Sequence, residues 1–383
     1  MQEKSSQPKN LLQTGSKLLD FATKRILSFS SIFDTKYGIP QNRKERVRRT
    51  KKVGYIAVLR SGAIGAIASA IPILILYQVI LVQYPHLNTE THSVTGWDYA
   101  FLIGLIIAVS LVATILELLL LYYDAVRAAG KMNQITQRDV DAESEVDEAI
   151  QQTLPLGLTK AALGMNKDTS PKFGIDPLEN SSKAAIAAKG AAYRAQVLLF
   201  NALVKRILRR ILARMFGRTA PRVFVEWLLL PIYVIWNMVG TTVVMNELIC
   251  RANGQEATKG VLDEIQLNKN ISPQMTVLIK NSIQHHVHGA KAIHPNIEFI
   301  ILFLNFKKCE FTSPEPPYDS LNSIEKVQLA KLILALPLLE TRKTKLNRDV
   351  KKFVDTTLTI QEKKTWLRDV ARYIKKGIDF NEI

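Results

Sequence analysis

Four of the six histidines fall within ten residues: His285, His286, His288 and His294. Imidazoles are good ligands for zinc, copper and nickel. On a helix His285 and His288 share one face, and His294 can return across Pro295, so these three are the candidate metal ligands. No carboxylate lies among them and no His-Glu-x-x-His is present. A polar helix end leading into a loop is therefore the expected reading, with metal binding as the alternative. Glu117 and Glu226 lie within or beside apolar stretches, where a carboxylate marks a functional site by default. Both sit about two turns or less from an expected membrane boundary, so pairing with Arg127 or Arg222 is the simpler role. Two cysteines, Cys250 and Cys309, exclude a disulfide framework and a four-thiolate cluster. Both are expected to be inert thiols.

The acidic run Asp139, Asp141, Glu143, Glu145, Asp147 and Glu148 invites a calcium-loop reading. It fails because Ser144 stands where the sharp turn needs glycine and Ile150 where the loop needs glutamate. Gly157 and Gly164 fit no phosphate loop, since no Gly-Lys-Ser/Thr follows. The chain has no nucleophile elbow, dinucleotide fingerprint or kinase signature. Neither catalytic residues nor a cofactor are expected.

The elements that must carry these residues are set by composition. The chain has 383 residues, a formal net charge of +17, 47% apolar residues and a mean hydropathy of +0.05. Residues 61–88 contain no Asp, Glu, Lys or Arg, and residues 99–123 contain Glu117 as their only charge. A hydrocarbon core of roughly 30 Å needs about 20 helical residues, and both stretches supply them. The loop at 85–98 lacks Lys and Arg, whereas residues 1–60 carry 14 and residues 124–222 carry 16. The positive-inside rule then puts both flanks in the cytoplasm and the loop outside.

Gly62, Ala66 and Ala70 form one row of small residues in the first span, and Ser61, Gly65 and Ser69 another. Residues four apart lie on one face and admit a close backbone. The expected partner is the second span, through Gly104 and Ala108, or a second copy of the chain. A third apolar stretch, 223–245, is interrupted by Glu226, Pro231, Asn237, Gly240, Thr241 and Thr242. It is expected to be a buried or partly embedded helix returning to the cytoplasmic side.

The remaining basic residues form two groups. Arg43, Lys44, Arg46, Arg48, Arg49, Lys51, Lys52 and Arg60 precede the first span. They set orientation and can hold the segment on anionic lipid. No aromatic lies within 41–52 to serve as a stacking platform, so nucleic acid is not an expected partner. In residues 184–216, Phe200, Val204, Ile207, Leu208, Ile211 and Met215 share one helical face, and Lys205, Arg206, Arg209 and Arg210 share the other. These four are the candidate contacts with anionic headgroups.

After residue 250 the pattern is helical, with expected helices at 258–267, 273–288, 296–306, 323–339, 345–357 and 360–376. Thr359 and Glu362 make a capping box, and Asn322 or Ser323 starts the helix before it. The run around 329–339, followed by Arg348, Asp349 and Glu362-Lys363-Lys364, is similar to the small helical domains of tellurite-resistance-associated proteins over at most residues 296–383. Leu339-Glu340-Thr341-Arg342 stands where their Asp-Gly turn would be. No metal site is carried over and no family is assigned.

The sequence thus predicts an all-α membrane protein: a transmembrane helical hairpin plus a cytoplasmic helical bundle, with a candidate third membrane-embedded helix. The expected divisions are an amphipathic and basic cytoplasmic segment at 1–60, the transmembrane hairpin at 61–123, a cytoplasmic helical region at 124–250 with the Arg-rich amphipathic helix and the apolar embedded helix, and a C-terminal helical domain at 251–383. The expected function is a non-enzymatic scaffold or interaction protein in a bacterial inner membrane, with homo-oligomerisation open. The alternative is an oligomeric transporter or channel built from the hairpin.

Overall fold

The computed structural model describes residues 40, 42–78, 96–136, 222–267, 271–287, 293–304, 317–340 and 346–382. Every regular element among them is helical. Three long helices come first: α1 (Arg43–Gln78), α2 (Gly96–Thr136) and α3 (Arg222–Ala252). Six shorter ones follow: α4 (Gly254–Glu264), α5 (Pro273–Val287), α6 (Pro295–Phe303), α7 (Ser323–Leu339), α8 (Arg348–Thr357) and α9 (Ile360–Lys376).

The basic run and the first apolar stretch are one helix. The Asn42 side chain accepts the Lys44 backbone N–H at 2.8 Å at its start, and Glu45 lies in the first turn, where a carboxylate complements the helix dipole. Measured from Tyr55 to Gln78, the apolar part of α1 is about 35 Å long at 1.5 Å per residue. All three long helices are long and apolar enough to cross a membrane. Ile67 on α1, Leu119 on α2 and Val243 on α3 are among the many large apolar side chains turned outward. Such a belt would be an aggregation surface in water and is ordinary in lipid.

α3 is a single 31-residue helix that continues through Pro231; the polar interruptions do not break it. It runs antiparallel to α1. Asn253 reaches Thr50, Gly54 lies against Ile249 and Met245, and Gly62 lies against Met238 and Val234. α2 is also antiparallel to α1, with Asp124 beside Arg60 and Met132 beside Gly54. α2 and α3 are therefore parallel, and Thr136 and Arg222 lie at opposite ends of the unit, so if both helices cross a membrane, residues 124–222 do not all lie on the cytoplasmic side as the charge pattern predicts. The C-terminus of α3 arrives at the Arg43 end, so a complete span by α3 leaves the helices after it on that side. Near this end the seam closes on Val53, Ala57, Ala125, Ala128, Ala129, Met132, Met245 and Leu248. Its alanines let the three backbones approach closely.

Helices α4–α9 share one core, centred on Leu262, Met275, Ile279, Ile300, Leu332, Leu336, Val354 and Val370. α7 starts with a capping box between Asn322 and Glu325, and α9 with the expected one between Thr359 and Glu362. α9 stops at Gly377, whose φ of +66° is the left-handed conformation that glycine adopts at little cost. The Trp366 indole N–H donates to the Lys331 carbonyl at 2.8 Å, fixing α9 on α7.

Candidate functional site

Two polar clusters stand out, both built on the long helices. The first is a seat where the C-terminal unit meets the Arg43 end. Arg46 Nη2 lies 2.5 Å from Glu256 Oε1 of α4, and Arg46 Nη1 donates to the Pro40 carbonyl at 2.8 Å. Arg43 is buried with its guanidinium 3.5 Å above the Tyr373 ring of α9, and Glu256 is 3.7 Å away. Tyr373 stacks in turn on Phe380, with ring centroids 4.4 Å apart. Burial pushes the Tyr373 phenol above its ordinary pKa, and the nearby Arg43 charge opposes the shift. Gly377 closes the seat: a Cβ there would meet the α1 backbone at Lys44 Cα and the Arg43 carbonyl.

Below the seat, Asn253 donates to Thr50 Oγ1 at 3.0 Å. Asn296 of α6 donates to the Leu339 carbonyl at 2.6 Å and to the Cys250 carbonyl at 3.3 Å. The end of α3, the start of α6 and the end of α7 are thereby tied together. Two arginines of the basic run are thus protein contacts. Arg48 and Arg49 pair with Glu45, and Arg60 with Asp124. Lys44, Lys51 and Lys52 remain exposed, and Lys375 and Lys376 of α9 lie within electrostatic reach of Lys51.

The second cluster lies within the apolar belt. Asn237 of α3 donates to Glu117 Oε1 of α2 at 2.5 Å. The Ser61 hydroxyl lies 2.7 Å from the Val58 carbonyl and 3.4 Å from the Asn237 carbonyl. Gly65 faces Asn237 so closely that any Cβ would overlap its amide. About 10 Å further along α2, at 1.5 Å per residue, Arg60 Nη1 meets Asp124 Oδ1 at 2.9 Å. In lipid these groups cannot turn to water, so each must find a partner inside the bundle.

The residues singled out in the sequence fall as follows. Gly62 is buried against α3, with Ala66 and Ala70 half-buried; Gly104 of α2 has nothing within 4 Å of a Cβ. His285 is exposed on α5. His294 caps α6, its Nδ1 accepting the Asn296 N–H at 3.2 Å and its Nε2 lying 3.3 Å from Glu247. His286 sits 2.9 Å from Glu340. Among the described residues no three His, Cys, Asp or Glu side chains are grouped to hold a metal. His288, Cys309, the 139–148 acids and the basic face Lys205, Arg206, Arg209 and Arg210 lie outside the described residues; Glu226 falls within the first two turns of α3.

Sequence reading missed Asn237 and Asp124. The signal for Asn237 was present as a polar interruption of the third apolar stretch. In sequence an amide there reads as a break in a membrane helix, although an amide facing another helix is what such a helix tolerates. Comparison with protein-family models, with curated proteins and with solved structures gave no match.

Proposed function

We propose that the protein is a non-enzymatic integral membrane scaffold. Three membrane-crossing helices hold a helical interaction domain in one orientation on the cytoplasmic face of a bacterial inner membrane. The observation that carries this reading is the seat. Arg43 and Arg46, at the start of the first membrane helix, are buried against Glu256 and Tyr373 of the C-terminal unit. A tethered domain needs only a linker, whereas buried charge and a backbone-to-backbone contact at Gly377 restrict orientation. The basic character of residues 1–60 supports a cytoplasmic N-terminus.

The test is co-purification from gentle detergent of the wild-type chain and a Glu256→Arg variant that places like charges in the seat. Proteins retained by the wild type and lost from the variant, with both chains still in the membrane fraction, support the scaffold. Identical sets of retained proteins contradict it.

One observation favours a second reading, transport. Glu117 and Asn237 form a hydrogen-bonded pair inside the belt, and intramembrane carboxylates commonly mark ion or proton paths. Proton or cation flux into liposomes holding the purified chain, abolished by Glu117→Gln, would move the assignment to a transporter.

A further inference from the structure

Lys44, Arg48, Lys51, Lys52, Tyr55 and Leu59 are all exposed, and at helical spacing they form one stripe along α1. The stripe starts basic and turns apolar at Tyr55, which is 65% exposed. Lys51 and Lys52 stand about 5 Å before Tyr55 at 1.5 Å per residue. That is the depth of the headgroup layer beside a hydrocarbon core of about 30 Å, and tyrosine favours the boundary between the two.

A distant part of the chain brings two more lysines to this level. Lys375 and Lys376 are the last two residues of α9 and are exposed. Gly377 follows directly and lies against the α1 backbone at Lys44, so the seat fixes where these lysines stand relative to α1. Both lie within electrostatic reach of Lys51. The dipole at the end of α9 favours lysine there, but it does not account for setting them against the like charge of Lys51. The neighbouring carboxylates are engaged elsewhere: Glu45 with Arg48 and Arg49, and Glu256 with Arg43 and Arg46. Asp379 lies within reach of Arg43 and Tyr373. Among the described residues no carboxylate pairs with Lys51, Lys52, Lys375 or Lys376. Like charges gathered from two elements repel until an anion joins them.

We propose that Lys51 and Lys52 of α1 and Lys375 and Lys376 of α9 together bind the headgroup of an anionic phospholipid in the leaflet at the Arg43 end of the bundle. This rests on the reading that α1 crosses a membrane. The lipid phosphate takes charge-assisted N–H donors from ammonium groups, and its acyl chains run along Tyr55 and Leu59. The lipid is then a further tie between the C-terminal unit and α1, beside the Arg46–Glu256 contact. A soluble phosphate shares the headgroup chemistry without the chains.

Delipidated full-length protein in mild detergent is titrated with phosphatidylglycerol, phosphatidylcholine and glycerol phosphate, and bound lipid is counted by native mass spectrometry. Phosphatidylglycerol should be retained in preference to phosphatidylcholine. A Lys375→Gln, Lys376→Gln variant should hold it about 25-fold more weakly, at about fivefold per basic residue. A Lys51→Gln, Lys52→Gln variant should do the same, and Lys375→Arg with Lys376→Arg should keep wild-type retention. Lys351→Gln with Lys352→Gln removes two exposed lysines of α8 that are not among the charges reaching Lys51, and should change nothing. All these side chains are exposed, and unchanged circular dichroism shows that each variant has folded. Equal retention of the two lipids by the wild type, or wild-type retention by the Lys375→Gln, Lys376→Gln variant, overturns the proposal. So does an equal loss in the α8 variant, which would make the effect one of net charge. Displacement by equimolar glycerol phosphate overturns the lipid source and assigns the site to soluble phosphates. Each of these results leaves the scaffold reading, which the co-purification tests, standing.

Discussion

Arg46 and Glu256 are 210 positions apart in sequence and 2.5 Å apart in space. The contact joins the first turn of α1 to the first helix after α3, so the C-terminal unit is held by α1 as well as by its continuity with α3. The Arg46 side chain is buried and that of Glu256 about three-quarters buried. Removing one member of such a pair leaves charge without compensation.

Glu256→Gln should therefore destabilise the chain by about 3 kcal/mol, the lower end of the range for breaking a buried pair. Thermal unfolding in detergent, followed through tryptophan fluorescence, reads this as a lowered Tm. A Tm equal to wild type would mean that Arg43 and Arg46 are satisfied without Glu256.

Gly62 and Gly65 of the small-residue rows of α1 face α3 within one chain. Gly65→Ile should force Asn237 aside, costing about 1–3 kcal/mol as in other overpacked interfaces. Gly104→Ile, where a Cβ meets nothing, should be close to neutral. Oligomer size by light scattering should be unchanged in both. A size change with Gly65→Ile would assign that face to a second copy.

Helix limits were legible where local chemistry sets them. Residues 323–339 and 360–376 were read to the residue, because capping residues and Gly377 punctuate the chain. The partner of the Gly62 row was not legible. Every small residue in a spanning helix looks alike in sequence, and only packing reveals that Gly65 faces Asn237 rather than Gly104. The direction of α3 was hidden for the same reason. Pro231, Gly240 and Thr241 read as interruptions of the stretch. In the structure the helix continues through them.

Acid should loosen the start of α9. The Thr359 hydroxyl and backbone N–H hold the Glu362 carboxyl below its ordinary range, and Lys363 does the same for Asp355. A carboxyl whose pKa is depressed on folding contributes stability that is present above its unfolded value, about 4. That contribution is lost as pH falls through the folded value. Between pH 6 and 3, Tm should fall more for wild type than for a Glu362→Gln, Asp355→Asn double variant. Equal slopes would remove both groups as contributors.

The most direct measurement is thiol accessibility from the two faces of the membrane. In a Cys250→Ser, Cys309→Ser background, single cysteines replace Gln78 at the end of α1 and Ser320 in the 3₁₀ turn before α7. A membrane-impermeant maleimide on intact cells should label position 78 and leave position 320 unlabelled until the membrane is permeabilised. The antiparallel packing of α1 and α3 and the basic flank of α1 together require that result. Labelling of position 320 in intact cells, with position 78 protected or equally labelled, would contradict a domain seated on the cytoplasmic end of three membrane helices.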